Sequence, residues 1–411
     1  MQGHLVKESI YRSLESVGRG RRCTAECLPA MYQSQIVASS AYLVVMSIGG
    51  QNFSLILDTG SSDLWIVSSE CTESDCQGVS KYSKLSSTSL STTDQPFKLS
   101  YLQGTVFGNV AFENITLGEY DISPQVFALV NDTKGLGLSS TGNSGIVGLS
   151  FPLPASIPAT SGRTLLENVF ASLNDYNRFF AYKLGRNQSQ DQSQDASFTA
   201  SSFTVGRLDP AVANNTTGFQ YTPVVTLGQT YYDYWKLPLL RITVNSNPLR
   251  LSPSLIPGSR TPVAVLDTGT TLILGPSADV INFWSAVGGN GTTRKNLKSG
   301  MWEVRCSRAA NVSFTLGDTN NPREYVVHPE DINWGEARSS DGWCMGGIQA
   351  NDAVNSADWL LGDSFLRVRL CISEPVMPTY QLAQNLLAEC LRDTPRSYIH
   401  PATAYWPSQH D

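Results

Sequence analysis

The chain has 411 residues, of which 16% are charged, and a formal net charge of −6. That length accommodates two or three domains and a sizeable core, and the mild acidity argues against nucleic acid as the main partner, because phosphate binding needs a basic face. No run approaches the roughly 18 apolar residues of a membrane span, and abundant Ser, Thr, Gly and Asn around short apolar runs read as an all-β protein with many turns.

Residues 1–35 carry Lys7, Arg12, Arg19, Arg21 and Arg22 and lack strand alternation. They read as an N-terminal extension or the remnant of a basic, inhibitory pro-segment. The first 22 residues contain no apolar signal-peptide core, so an export signal is expected upstream of residue 1. From Ile36 to about Gly118 the chain reads as short strands. "AYLVVMSIGG" ends in a glycine pair suited to a hairpin before "NFSLIL", and Asp58 closes that second apolar run. "VFGNVAFENITLG" alternates and ends at glycine. "RTLLENVFASLNDY" has helical spacing, with Leu165, Leu166, Val169, Phe170 and Leu173 on one face. The polar, low-complexity stretch 187–197 reads as an exposed loop. Beyond it, Asp267 follows the apolar run Val263–Leu266, and "SADVINFWSAVGG" is a second helix, with Ser277 as N-cap and Gly288 past its end.

The two halves share a layout. Asp58-Thr59-Gly60-Ser61 is followed by "SGIVGLSF", and Asp267-Thr268-Gly269-Thr270 by "WLLGDSF". One unit is therefore duplicated, at a period too long for a solenoid. The expected boundaries are 1–35 for the extension, 36–190 and 191–370 for the two lobes, and 371–411 for a divergent tail. In that tail Pro375 and Pro378 interrupt any central strand, and Gln381 to Leu391 reads as an amphipathic helix. The second lobe is expected to lose edge pairing there.

Eight cysteines (Cys23, Cys27, Cys71, Cys76, Cys306, Cys344, Cys371 and Cys390) fit disulfides in an oxidising compartment, with connectivity left open by their spacing. Asn-x-Ser/Thr sequons stand at Asn52, Asn114, Asn131, Asn187, Asn214, Asn215, Asn290 and Asn311. Together these favour the secretory route. Cys71 and Cys76 lack the second ligand pair of a zinc site. The four histidines, His4, His328, His400 and His410, show no metal-ligand spacing, and none lies near the serines of "DTGSSDLW", so neither a metal site nor a Ser-His-Asp triad is expected.

An aspartate at the end of a buried strand is costly unless chemistry needs it. Two such carboxylates brought face to face hold one proton between them, because like charge raises the proton affinity of one. One is then a general base and the other a general acid at the same pH, and water between them can attack a carbonyl. Gly60 and Gly269 permit the tight turn. Ser61 and Thr270 offer hydroxyls to the outer carboxylate oxygens. Thr59 and Thr268 are placed to hydrogen-bond across the seam between halves. A single Asp-Thr-Gly is most often only a turn; the duplicated motif with its companions carries the inference.

On these motifs the sequence resembles the pepsin-like aspartic proteases, and among them the fungal secreted members. "DTGSSDLW", "LSYLQGTVFG", "SGIVGL", "DTGTTLILGP" and "WLLGDSF" fall in family order from about Tyr42 to Leu370. The resemblance implies a bilobal all-β fold with a few short helices and a substrate cleft between lobes. It assigns Asp58 and Asp267 as the catalytic pair, Ser61 and Thr270 as their partners, and Tyr101, Gly104 and Trp65 to the flap and substrate-binding region. It pairs Cys71 with Cys76 and Cys306 with Cys344. Leu102 and Ser144 depart from the family's usual glycine and aspartate, and Ser144 is expected to alter a subsite edge. The implied activity is aspartic-type endopeptidase on a protein or peptide substrate at acidic pH, without cofactor, by a monomer outside the cell or in the secretory pathway, including the vacuole. The alternative is a catalytically impaired pepsin-like binding or inhibitor protein, kept because the flap and C-terminus diverge.

Overall fold

A computed structural model of the chain describes residues 35–36, 41–186, 201–210, 222–226, 231–289, 291–334, 341–354, 357–367, 369–374 and 387–392, all within the unit Met31–Asp411. Residues 1–34, the loop 187–197, and Asn187, Asn214, Asn215 and Asn290 lie outside the described residues.

The first half builds one eight-stranded sheet from β1 (Gln35–Ile36), β2 (Tyr42–Ile48), β3 (Gln51–Asp58), β4 (Leu64–Val67), β5 (Ser91–Ser100), β6 (Thr105–Leu117), β7 (Tyr120–Lys134) and β8 (Gly145–Gly148), in the order β1-β2-β3-β8-β4-β7-β6-β5. Gly49 and Gly50 join β2 to β3 with φ of 57° and 76°, the left-handed pair a two-residue hairpin needs. The decisive contact is non-local. β3 pairs in parallel with β8, which places Asp58 opposite Gly148, and β8 pairs antiparallel with β4.

The second half repeats this arrangement. Between the halves run β9 (Phe180–Lys183), β10 (Ser202–Val205) and β11 (Thr222–Pro223). β12 (Lys236–Val244), with β13 (Asn247–Pro248) at its end, pairs antiparallel with β14 (Val263–Leu266). β14 lies parallel to Trp359–Leu361, which in turn is antiparallel to β15 (Ile273–Gly275). Strands Val312–Leu316 and Arg323–Val327 extend the sheet beyond β12, and Ile348–Ala350 extends it beyond β15. The strands Thr293–Lys295, Trp302–Arg305, Trp343–Gly346 and Asn333–Trp334 form a smaller sheet. One apolar core runs through both halves, from Leu55, Leu57 and Phe127 to Trp235, Trp284 and Trp359.

A five-stranded sheet joins the halves in the order β10, β9, Arg369–Glu374, Leu387–Arg392, β11. This corrects the reading of the tail. Of the expected helix Gln381–Leu391, the described part, Leu387–Arg392, is a strand; it pairs with Arg369–Glu374, so edge pairing is retained, and 381–386 lie outside the described residues. Pro375 and Pro378 lie outside the described residues. The unpaired edge of Arg369–Glu374 outweighs the weak helical spacing of a short segment.

The helix Leu165–Ala171 buries Leu165, Leu166, Val169 and Phe170 and starts with a capping box between Thr164 and Glu167. In the helix Ser277–Val287 the N-cap is Pro276, and Ser277 is the first helical residue; its N–H and hydroxyl donate to Asp352 instead. Ser144 is 1% exposed and its backbone bridges Ser54 and Val67, so it presents no side chain to a subsite. The disulfides are Cys71–Cys76 and Cys306–Cys344. Asn52, Asn114, Asn131 and Asn311 are exposed. Among the described residues no helix is long and apolar enough to cross a membrane.

Glu113 on β6 is buried, yet it is held as an anion. Its carboxylate accepts from Tyr82 Oη, Ser87 Oγ, Ser89 Oγ and the Asn114 N–H at 2.5–2.7 Å. Burial alone pushes its proton affinity up; the four donors outweigh it and hold the group below the usual glutamate range. Its stabilisation is therefore present above the unfolded-state pKa and is lost as pH falls through the lower folded value. Glu113→Gln should destabilise the chain by about 1–3 kcal/mol near pH 6, with the deficit against wild type shrinking as pH falls below the usual glutamate range. Thermal melts across pH check this; a deficit that grows on acidification contradicts it.

Candidate active site

β3 delivers Asp58 at its last position, and β14 delivers Asp267 one residue past its end. Both side chains are nearly buried, at 4% and 6% exposure. Each Asp-Thr-Gly then turns back on itself. The Gly60 N–H donates to Asp58 Oδ1 and the Gly269 N–H to Asp267 Oδ1, both at 2.8 Å. Ser61 Oγ donates to Asp58 Oδ2 at 2.5 Å, and Thr270 Oγ1 to Asp267 Oδ2 at 2.7 Å.

The threonines tie the two turns together. Thr59 N–H donates to Thr268 Oγ1 and Thr268 N–H to Thr59 Oγ1, each at 3.0 Å. Each hydroxyl passes its own proton across the seam, Thr59 to the Leu266 carbonyl at 2.8 Å and Thr268 to the Leu57 carbonyl at 2.6 Å. Four hydrogen bonds related by a twofold thus bring the carboxyls together. The glycines leave the room. A Cβ on Gly60 would lie 2.5 Å from the Asp267 carboxyl, and one on Gly269 2.3 Å from Asp58 Oδ1.

The two carboxyls lie close enough to act on one another's proton affinity. Burial, then the charge of Asp267, pushes Asp58 well above the usual aspartate range, against the pull of Ser61 and Gly60. Burial also raises Asp267, less strongly, because Thr270, Gly269 and Asp58 all bond its anion. The pair titrates jointly and keeps a proton where an exposed aspartate has lost it.

The hairpin β5–β6 closes above Asp58. Its turn is held by Tyr101 N–H donating to the Gly104 carbonyl at 3.0 Å, and Gly104 has φ 85°, with the Lys134 carbonyl where a Cβ would stand. Trp65 Nε1 donates to Tyr101 Oη at 2.6 Å, and Tyr101, buried, lies in the field of Asp58 beside Ser61. Leu102, at the tip, is 47% exposed.

A family model described as eukaryotic aspartyl protease matches residues 41–384. The chain belongs to the eukaryotic aspartyl protease family. It is 26% identical over 334 residues to major aspartyl peptidase 1 of Cryptococcus neoformans var. grubii, a match covering 80% of this chain and 65% of that relative. An aspartic protease of Phaffia rhodozyma is 30% identical, covering 78% of this chain and 71% of its own. Embryonic pepsinogen of Gallus gallus is 29% identical, covering 80% and 76%.

Within this family fold, the structure brings Asp58, Thr59, Gly60, Ser61, Asp267, Thr268, Gly269 and Thr270 into one cluster, with Tyr101 and Gly104 in the hairpin that adjoins it and Trp65 on β4 bonded to Tyr101. Two further residues escape the sequence motifs. Tyr234, partly buried, lies in the field of both Asp58 and Asp267. Asp363, in "LGDSF", lies in the field of Asp267. No local pattern marks Tyr234; only the tertiary path of the chain before β12 brings it there.

Thr268→Val keeps the shape of the side chain but removes the donor to Leu57 and the acceptor for Thr59 N–H. It should cost about 1–3 kcal/mol in urea unfolding. A loss under about 0.5 kcal/mol contradicts the seam as a structural lock.

Proposed function

We propose that the chain is an aspartic endopeptidase that hydrolyses internal peptide bonds with water activated between Asp58 and Asp267. The observation that carries this reading is the pair of buried carboxyls at the ends of matching strands, drawn together by the reciprocal threonine bonds. With substrate bound, the ionised member takes a proton from the water as it attacks the scissile carbonyl carbon. The protonated member donates to the carbonyl oxygen, giving a tetrahedral diol without a covalent enzyme intermediate. Collapse of the diol returns a proton to the leaving amine. Ser61 and Thr270 keep the outer oxygens occupied, so the inner ones face the water. Tyr101 and Leu102 contact an extended substrate as the hairpin closes, and apolar residues flank the cut.

The exposed sequons and the two disulfides support a secreted or vacuolar route. A monomer with a peptide substrate, and no nucleic-acid partner or cofactor, completes the proposal.

Asp58→Asn and Asp267→Asn should each lower cleavage of acid-denatured globin by roughly 10²–10⁴-fold or more, while the folded structure remains. Retained cleavage in either variant overturns the mechanism. Wild-type activity should peak at roughly pH 3–5 and fall as the shared proton leaves at higher pH. A statine-containing peptide should bind tightly and require both aspartates. Tight binding without any cleavage favours the alternative, a pepsin-like binding protein.

A further inference from the structure

Four of the cysteines are engaged in the bonds Cys71–Cys76 and Cys306–Cys344. Cys23, Cys27, Cys371 and Cys390 are left, and the first two lie outside the described residues. A cysteine in a strand is by default a small apolar filler. The remaining two stand in a relation that this default does not require. Cys371 belongs to the strand Arg369–Glu374 and Cys390 to the strand Leu387–Arg392, and the antiparallel register sets Cys371 directly opposite Cys390.

Directly opposed residues of an antiparallel pair lie on one face of the sheet, with Cα atoms about 4.5 or 5.5 Å apart according to whether they exchange hydrogen bonds. A disulfide spans Cα separations of roughly 4.4–6.8 Å, so either kind of pair admits one without moving the chain. A slip of one residue would put the two cysteines on opposite faces. The register runs without a break from Arg369 opposite Arg392 to Glu374 opposite Leu387. On the other side of the same strand Cys371 stands opposite Tyr182 of β9, which stands opposite Phe203 of β10. Both sheet neighbours of the strand Arg369–Glu374 therefore fix where Cys371 sits.

The last strand needs more than its ladder to hold it. Arg369 opposes Arg392, a like-charge pair that weakens the ladder, and Ile372 opposes Glu389. On its far side the strand meets β11 over a short stretch, Thr222 opposite Ala388 and Pro223 opposite Leu387, which ends before Cys390. Yet this strand is part of the sheet that joins the two halves.

We propose that Cys371 and Cys390 form a third disulfide, a covalent staple that holds the last strand in the joining sheet. Two thiols lose two hydrogens as the S–S bond forms. They pass to the disulfide of a thiol–disulfide oxidoreductase of the secretory pathway, which becomes a dithiol by exchange through a mixed disulfide. The bond closes the loop 371–390 and removes conformational freedom from the unfolded chain. The proposal rests on the secretory route given above and is independent of the endopeptidase reading.

The test uses the full chain, secreted behind a heterologous signal peptide and carrying Asp58→Asn to suppress self-digestion. Free thiols are blocked with iodoacetamide in denaturant, and the chain is cut with trypsin. No Lys or Arg stands between the two cysteines, so both fall in the peptide Leu370–Arg392. That peptide should carry no alkyl group, weigh two hydrogens less than the dithiol, and stay joined after cleavage at Glu389 until reductant is added. Thiol titration in denaturant gives a second reading that does not depend on native folding. Cys371→Ser and Cys390→Ser should each gain one free thiol over the parent, while the double variant should match the parent. The double variant should melt lower by roughly 3–8 °C. Alkylated cysteines in the peptide Leu370–Arg392, a single variant that loses a thiol, or linkage of either cysteine to Cys23 or Cys27 overturns the proposal. An unchanged melting temperature in the double variant overturns the staple. If Cys71, Cys76, Cys306 and Cys344 are alkylated as well, the secretory route has failed with it; if those four are bonded and Cys371 and Cys390 are free, this pairing alone has failed.

Discussion

Two carboxyl groups taken out of water within hydrogen-bonding reach cannot both be charged without a large penalty. Left to itself, a chain would separate them. Here the separation is prevented by backbone. Asp58 and Asp267 sit at the ends of strands buried in two sheets, and Thr59 and Thr268 lock the turns that follow through four hydrogen bonds to the opposite half. Each of those bonds joins a buried threonine hydroxyl of one half to a main-chain group of the other, so the two turns, and the carboxyls beside them, are held together. Sharing a proton is the remaining way to lower the energy, and it is the state that acid–base chemistry requires.

The symmetry of this lock and the asymmetry of its surroundings have different origins. The lock follows from duplication of one motif, so the glycines, threonines and outer hydroxyls match across the twofold. The surroundings do not match. The hairpin with Tyr101, bonded to Trp65 of β4, stands beside Asp58, and the buried acid Asp363 lies in the field of Asp267. An unsymmetrical setting distinguishes two chemically identical groups, which is the condition for one to act as base while the other acts as acid.

Much of this was legible because it is local. The glycine pair at 49–50 predicts its hairpin, the apolar spacing of 165–170 predicts its helix, and the duplicated Asp-Thr-Gly predicts a paired site. What escaped depends on tertiary context. Ser277 has the chemistry of an N-cap, but Asp352 captures it and Pro276 takes that place. The stretch at 381–391 has weak helical spacing, while the edge of Arg369–Glu374 draws Leu387–Arg392 into a strand. The carbonyls of Leu57 and Leu266 are anonymous in sequence, although they accept the threonine protons.

The most direct measurement is neutron diffraction from crystals grown near pD 4.5. The account predicts one deuteron on the facing oxygens of Asp58 and Asp267, with the Ser61 and Thr270 deuterons pointing at the outer oxygens. Two carboxyls lying apart, or a pair carrying no deuteron or two, would contradict it.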